Sequence, residues 1–205
     1  MLIQTNNKMQ IHQLIDFNHG FLSQFDTTWS LFLDRDGVIN DEVEDDYVRN
    51  WESFRFLEGS LASFPIFAKL FAHIFIVTNQ KGVSKGLMSE NDLIKINEGI
   101  EASVTKEGGF INKIYYCTAT ENTAPCRKPN NGMALQAQRD FPNTIFSRSI
   151  MIGNTLSDMQ FGKSVGMTTV FVASKKPKPE QPHPLIDIFS PDLITVAKVL
   201  QKKYL

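Results

Sequence analysis

Residues 31–38 read Leu-Phe-Leu-Asp-Arg-Asp-Gly-Val, an apolar run followed by two acids that lie two positions apart. An apolar run without alternation predicts a strand buried on both faces, as in a parallel sheet covered by helices. The acids, Asp34 and Asp36, follow this strand at its carboxyl end. In open α/β sheets the carboxyl ends of the strands form the edge at which ligands bind. The segment therefore predicts a functional loop at the end of a buried strand.

The alternation of short apolar runs and longer amphipathic stretches continues along the chain. It predicts a doubly wound α/β domain with a mainly parallel sheet and helices on both faces. The predicted strands are residues 30–33, 74–78, 111–116, 149–152 and 168–172. The predicted helices are residues 61–71, a helix capped by Ser89 that ends before the glycines at 108 and 109, and a last helix that begins at Ser190 and Pro191.

The first 29 residues precede the first predicted strand, so we divide the chain into an extension, residues 1–29, and a domain, residues 30–205. The extension could form a short helix that packs on the domain, or it could be partly ordered. The apolar face of such a helix would consist of Ile11, Leu14, Ile15 and Leu22.

The composition is that of an ordinary globular protein, with 42% hydrophobic and 21% charged residues. A formal net charge of −1 provides no global basic field for nucleic acid or an anionic membrane. No apolar run approaches the roughly 20 residues that span a bilayer, and the start of the chain is a poor signal peptide. Two cysteines do not make a disulfide framework. We therefore expect a cytoplasmic protein.

Two carboxylates this close together repel each other in a low-dielectric site unless a cation or a shared proton compensates. Magnesium is the expected cation, because it takes oxygen ligands and often bridges to phosphates. A solvated turn is the alternative for this motif alone. Three other segments favour the functional interpretation: residues 75–80 end an apolar run in Thr-Asn-Gln, residues 126–129 read Cys-Arg-Lys-Pro, and residues 150–158 lead from a strand into Gly-Asn-Thr-Leu-Ser-Asp.

In order and spacing, these four segments resemble the haloacid dehalogenase-like (HAD) phosphatases. LFLDRDGVIN (31–40), VTNQKGVSKG (77–86), CRKPNNGM (126–133) and GNTLSDMQFG (153–162) are similar to the branch with histidinol-phosphate phosphatases and D-glycero-D-manno-heptose 1,7-bisphosphate phosphatases. The resemblance covers about residues 30–173. It implies a magnesium-dependent phosphomonoester hydrolase that works through an aspartyl-phosphate.

The resemblance also implies a role for each matching residue. Asp34 would attack phosphorus, and Asp36 would protonate the leaving oxygen and then activate water. We expect the pKa of Asp36 to be raised by the nearby carboxylate and the apolar strand end. Thr78 and Asn79 would hold the phosphoryl group, and Lys128 would neutralise its charge.

Further positions follow from the same alignment. Arg127 would contact the substrate beyond the phosphate. The magnesium ligands would be Asp34, Asp36, Asn154 and Asp158. At position 154 the family normally has an aspartate, and an asparagine oxygen brings no charge to the metal. Either the protein is an active enzyme that binds its metal more weakly, or it is a silent phosphate-binding protein. The intact pair Asp34 and Asp36 favours the active enzyme.

A second departure lies in the loop that carries zinc in many members of this branch. Cys117 and Cys126 occupy the outer ligand positions, but the inner two are Ala119 and Ala124. Structural zinc normally takes four nitrogen or sulfur ligands, so zinc is not expected. We expect two free thiols, because a disulfide is disfavoured in a reducing cytoplasm.

The intervals between the motifs leave no room for a large cap domain. They comprise 41 residues between Asp36 and Thr78 and 49 between Thr78 and Lys128. The substrate would therefore be recognised by the loops at residues 41–49, 81–85 and 117–126. A phosphomutase is disfavoured, since the resemblance implies that such enzymes need a cap to exclude water.

The expected partner is a small phosphorylated metabolite. Heptose 1,7-bisphosphate is the first candidate, histidinol phosphate the second and another small phosphoester the third. Neither nucleic acid nor a membrane is expected as a partner, and the sequence leaves the oligomeric state open.

Overall fold

A computed structural model of the chain describes residues 17, 19–43, 46–173 and 179–204. Its centre is a six-stranded sheet in which every neighbouring pair of strands is parallel. The strands are β1 (Ser30–Leu33), β2 (His73–Asn79), β3 (Lys113–Cys117), β4 (Ser149–Gly153), β5 (Thr168–Val172) and β6 (Ile188–Ser190). Their order is β3-β2-β1-β4-β5-β6, so the order reverses between β1 and β4. Ligands of doubly wound folds bind at such a switch point.

Seven α-helices connect and cover the strands in the described part of the chain. They are α1 (His19–Gln24), α2 (Ser60–Phe67), α3 (Lys81–Ser84), α4 (Glu90–Lys106), α5 (Gly132–Asp140), α6 (Leu156–Ser164) and α7 (Leu193–Gln201). Short 3-10 helices occur at Trp51–Ser53, Phe146–Arg148 and Lys202–Tyr204.

Side chains alternate between the two faces of each strand, as the strand geometry requires. Leu31 and Leu33 of β1 point into a core layer with α2, α4 and α7, whereas Phe32 points into a second layer with α5 and α6. The sheet is therefore covered by helices on both sides. This arrangement confirms the predicted doubly wound α/β fold.

The predicted strands are confirmed, although β3 begins two residues later than expected, at Lys113. The start of the last helix was predicted wrongly. Ser190 belongs to β6, and the helix cap is Asp192, whose carboxylate accepts a hydrogen bond from the backbone of Thr195. A three-residue strand carries too little periodicity to be recognised in sequence, because only its pairing with β5 defines it.

The described part of the N-terminal extension packs against the amino edge of the sheet. Phe17, Phe25 and Trp29 are buried in the first core layer, and Leu22 packs against it. Ile11, Leu14 and Ile15 lie outside the described residues. The segment from residue 19 to 29 thus contributes to the same core as the sheet.

No second domain covers the carboxyl edge within the described ranges. The connection from β1 to β2 holds a loop, one 3-10 helix and α2, and the connection from β2 to β3 holds α3 and α4. Among the helices described, none is both long and apolar enough to cross a membrane.

Candidate active site

The sequence-predicted residues meet at the switch point of the sheet. β1 delivers Asp34 directly after its last residue, and its neighbours β2 and β4 deliver Thr78 and Asn154 at the same edge. Lys128 comes from the loop after β3, and Asp158 comes from the first turn of α6. Parallel pairing brings these five residues together although they are spread over more than half of the chain.

Lys128 lies between two buried carboxylates. Its Nζ atom is 2.7 Å from Asp34 Oδ1 and 2.6 Å from Asp158 Oδ1, and it also donates to the Val77 carbonyl at 2.7 Å. The lysine is only 3% exposed. Burial lowers the pKa of Lys128, but the charges of Asp158 and Asp34 outweigh it, so the pKa is raised. Lys128 is therefore a charged ammonium group fixed by two acids.

The Asp34 carboxyl group is harder to ionise than an exposed aspartate. Burial and the charge of Asp158 raise the pKa of Asp34 to about 7, although Lys128 acts in the opposite direction. One cation thus serves two carboxylates, which leaves this end of the sheet short of positive charge. A further cation beside Asp34 would restore the balance.

The surroundings of Asp36 contradict the expected rise of its pKa. Its carboxylate accepts hydrogen bonds from Arg35 Nη2 at 3.0 Å, from Asn40 Nδ2 at 3.0 Å and from Gln80 Nε2 at 2.8 Å. Burial raises the pKa of Asp36, but the Arg35 charge and these hydrogen bonds outweigh it, so the pKa is lowered. The sequence argument was wrong because it counted the neighbouring acid and missed the donors.

Asn79 does not point its amide at an open site. Its Nδ2 atom donates to the Lys128 carbonyl at 3.0 Å, and its Oδ1 atom accepts from the Lys128 backbone N–H at 3.0 Å. These reciprocal bonds hold the loop that carries Lys128. The predicted contact between Asn79 and phosphate is not tested by this geometry and stays a prediction.

In Asn154, both polar atoms of the side chain lack a hydrogen-bond partner within the described residues. The two atoms, Oδ1 and Nδ2, belong to a side chain that is 1% exposed. Gly37 packs against it so closely that an added Cβ would lie 2.1 Å from Nδ2. Because an unpartnered buried amide is unfavourable, this position suits a side chain whose oxygen binds a ligand such as a metal ion.

The residue types present fit magnesium, since Asp34, Asp36, Asn154 and Asp158 all carry oxygen ligands and lie at or just beyond the carboxyl ends of β1 and β4. Within the described ranges, no group of three or more His, Cys, Asp or Glu residues is arranged to hold a metal ion. Two features of the site limit the carboxylates that are available to a metal ion. Position 154 is an amide, and Asp158 already bonds Lys128 through Oδ1 and Thr155 through Oδ2. The assignment of all four as ligands stays a prediction.

Arg127 directly precedes Lys128 and is less deeply buried than that lysine. It is partly buried, and its Nη1 atom donates to the Ala119 carbonyl at 3.2 Å. Tyr47 interacts with it electrostatically, and Lys85 Nζ lies 3.2 Å from the Tyr47 hydroxyl. The three loops that we expected to recognise the substrate therefore meet beside Lys128.

The two cysteines form a disulfide, which corrects the expectation of free thiols. Their sulfur atoms lie 2.07 Å apart and their Cα atoms 5.5 Å apart. Cys117 ends β3 and Cys126 directly precedes Arg127, so the eight-residue loop between them folds back on itself. The sequence argument rested on the presumed compartment, whereas the loop brings the two thiols into bonding range. The expected absence of zinc stays a prediction.

Sequence reasoning missed three residues that shape this site. Arg35, Asn40 and Gln80 are each at most 1% exposed, and all donate hydrogen bonds to Asp36. A signal was present, since each lies within four residues of a motif acid or of Thr78. Buried polar side chains near a site are expected to be partnered, and here the partner is the site itself.

Comparisons with known proteins agree with this geometry. A family profile described as HAD-hydrolase-like matches residues 125–199. The D-glycero-alpha-D-manno-heptose-1,7-bisphosphate 7-phosphatase of Mycobacterium bovis is 37% identical over 147 residues, which is 71% of this chain and 77% of the relative. The D-glycero-beta-D-manno-heptose-1,7-bisphosphate 7-phosphatase of Vibrio cholerae is 33% identical over 168 residues, 78% of this chain and 89% of the relative.

Among solved structures, the D,D-heptose 1,7-bisphosphate phosphatase from B. bronchiseptica, complexed with magnesium and phosphate, has a similar fold. The TM-score is 0.74 at 24% identity, and the match covers 85% of this chain and 99% of that chain. The chain belongs to the haloacid dehalogenase-like (HAD) phosphatases, in the branch of the heptose bisphosphate phosphatases.

Proposed function

We propose that this protein is a magnesium-dependent phosphatase that removes the 7-phosphate from D-glycero-D-manno-heptose 1,7-bisphosphate. The relatives named for the alpha form of this sugar are 36–37% identical, and those named for the beta form are 29–34% identical. The alpha form is therefore the first substrate to test. The shortened loop between Cys117 and Cys126 is a reason to test other phosphoesters as well.

The observation that carries the proposal is the position of Lys128. Its ammonium group is buried at the switch point of the sheet, between Asp34 and Asp158. A buried lysine held beside an acid that follows a strand can neutralise a phosphoryl group as it is transferred to that acid. A lysine with a purely structural role would not need to face the edge where ligands of this fold bind.

In the first step, a carboxylate oxygen of Asp34 attacks phosphorus and forms an aspartyl-phosphate. The bond from phosphorus to the sugar oxygen breaks, and Asp36 gives that oxygen a proton, so this step uses the protonated form of Asp36, which its lowered pKa makes the minor form. Thr78, which is 1% exposed at the end of β2, would donate its hydroxyl proton to a phosphoryl oxygen. Lys128 would stabilise the negative charge on the same group.

In the second step, Asp36 takes a proton from water, and the resulting hydroxide attacks phosphorus and releases Asp34. The ionised form of Asp36 is needed here, and its three donors favour that form. Bound Mg²⁺, held by Asp34, Asp36, Asn154 and Asp158, would supply positive charge that favours ionised Asp34 and offsets that of the phosphate.

The rest of the substrate would be held beside Lys128, where the three loops meet. Arg127 and Lys85 carry positive charge there, and Tyr47 adds a hydroxyl group between them. Guanidinium groups bind phosphate well because their donors match two oxygen atoms at once. Arg127 would therefore contact the part of the substrate beyond the transferred phosphate.

The test is phosphate release by the purified protein with magnesium. Substrates should include both forms of heptose 1,7-bisphosphate, histidinol phosphate and p-nitrophenyl phosphate, with Asp34→Asn as the inactive control. We expect the highest kcat/KM for a heptose bisphosphate. A clear preference for histidinol phosphate would contradict the heptose assignment and indicate a histidinol-phosphate phosphatase.

A silent phosphate-binding protein is the second candidate, and Asn154 is the observation that favours it. Its amide brings no charge to the magnesium position, so metal binding could be too weak for turnover. The two candidates differ in one measurement. A silent protein would bind inorganic phosphate, as seen by calorimetry, but would release none from p-nitrophenyl phosphate at any magnesium concentration.

A further inference from the structure

Gln80 has no role in the reaction as described, yet its side chain joins two residues that do. It is 1% exposed, and its Nε2 atom lies 2.8 Å from Asp36 Oδ2 and 2.8 Å from Thr78 Oγ1. An amide nitrogen carries two N–H donors, so it can serve both acceptors at once. The Gln80 side chain therefore connects the loop after β1 to the end of β2.

The chemistry of these partners fixes the orientation of the amide. An ionised carboxylate can only accept hydrogen bonds, so the nitrogen of Gln80, and not its oxygen, must face Asp36. The second N–H then donates to Thr78 Oγ1. As a consequence, the hydroxyl proton of Thr78 has to point elsewhere and is available to an acceptor such as a phosphate oxygen.

This arrangement leaves the Gln80 oxygen without a partner. Within the part of the chain that the structure describes, Oε1 is buried and makes no hydrogen bond. A buried acceptor without a donor is unfavourable, so a glutamine is a poor choice here for stability alone. The residue is better explained by what its nitrogen does to Asp36 and Thr78.

We propose that Gln80 is a positioning residue of the phosphatase reaction. It holds the Asp36 carboxylate against the leaving oxygen and sets the Thr78 hydroxyl as a donor to the phosphoryl group. The inference rests on the proposed function, because both partners have a role only if a phosphomonoester is hydrolysed. It goes beyond that function by assigning the relative placement of the acid and the hydroxyl to a third residue.

The test compares Gln80→Met with the matched variant Gln138→Met. Both remove a partly or fully buried amide, but Gln138 lies near the carboxyl end of α5 and donates to the Thr144 carbonyl. Each protein is assayed with magnesium on a sugar phosphate, which is a poor leaving group, and on p-nitrophenyl phosphate, which is a good one. Protonation by Asp36 matters most for the poor leaving group.

For Gln80→Met we expect kcat to fall about a hundredfold on the sugar phosphate and about tenfold or less on p-nitrophenyl phosphate, because a small misplacement of the acid is costly. KM should change little, and the melting temperature should not fall below that of Gln138→Met. Gln138→Met should keep the wild-type ratio of the two rates. A structural role alone would not change that ratio.

Equal losses on the two substrates, or no loss, would overturn the positioning role. If Gln80→Met does not fold, Gln80→Glu keeps the length and replaces the donor by a carboxylate, and the same selective loss is expected. A wild-type ratio of rates in Gln80→Glu would also overturn it. A wild-type protein that hydrolyses neither substrate would refute the proposed function itself, and the role of Gln80 with it.

Discussion

The two edges of the sheet differ in what they bury. The carboxyl edge buries the charged residues Asp34, Lys128 and Asp158, and it contains most of the buried polar atoms that have no partner within the described residues. Those atoms belong to Arg35, Asn40, Gln80 and Asn154, and two others occur elsewhere, in Asn97 and Thr144. The amino edge buries aromatic rings instead, among them Phe17, Phe25, Trp29 and Phe71.

The difference separates chemistry from stability. Each unpartnered buried polar atom costs about 1–3 kcal/mol of folding free energy. The carboxyl edge therefore lowers the stability of the protein when no ligand is bound. Closely packed rings stabilise the fold, and at the amino edge Phe25 meets Trp29 at 5.4 Å and Phe71 at 5.3 Å between ring centroids. Substitutions at the carboxyl edge should alter catalysis, and substitutions at the amino edge should alter stability.

The largest expected effect is the loss of turnover in Asp34→Asn. Without the attacking carboxylate no aspartyl-phosphate forms, and kcat should fall by at least about a thousandfold. The fold should be kept, because Lys128 still pairs with Asp158 at 2.6 Å. Turnover is measured by phosphate release and folding by circular dichroism. A variant with a tenth of the wild-type rate would contradict the nucleophile assignment.

Phe25→Ala should lower stability and leave turnover unchanged, the opposite of Asp34→Asn. The ring is 0% exposed, so its removal should lower the free energy of unfolding by about 3–5 kcal/mol through lost burial and a cavity. Urea denaturation measures this loss, and kcat per folded molecule should stay at the wild-type value. Phe25→Leu is the control, with a smaller loss of stability. A fall in kcat without a loss of stability would break the proposed separation of the two edges.

Asn154→Asp should tighten magnesium binding by about 1–3 kcal/mol, or roughly ten- to a hundredfold. A carboxylate adds an oxygen ligand and a charge, although repulsion by Asp34 and Asp36 cancels part of the gain. Activity is titrated against magnesium for both proteins, and the difference should shrink at saturating metal. If the two curves superimpose, Asn154 is not a metal ligand.

The smallest expected effect is that of removing zinc, because we expect the protein to contain none. Elemental analysis of the purified protein should find no stoichiometric zinc, and a zinc-selective chelator should leave the melting temperature unchanged. Only two of four expected ligands are present, and the structure joins them in a disulfide. Near-stoichiometric zinc would mean that other residues complete a site at this loop.

The sequence alone was enough for five of the six strands and for the motif residues that gather at the carboxyl edge of the sheet. Buried parallel strands are nearly continuous apolar runs, so β1, β2, β4 and β5 could be located, and a residue that follows such a run must lie at the ligand-binding edge. The helix cap at Ser89 was equally local, since its capping box with Asp92 is formed within four residues.

What depended on distant contacts could only be decided by the tertiary structure. The pKa of Asp36 is lowered, opposite to the expectation, mainly by the Arg35 charge and the Asn40 hydrogen bond, and also by Gln80, which meets Asp36 across 44 positions of sequence. Only the folded loop brings all three donors onto the carboxylate. The strand β6 exists only because β5 pairs with it, and the Cys117–Cys126 disulfide only because the loop folds back. Local patterns specify where a strand ends, whereas a pKa, a short edge strand or a disulfide depends on neighbours that the fold brings close.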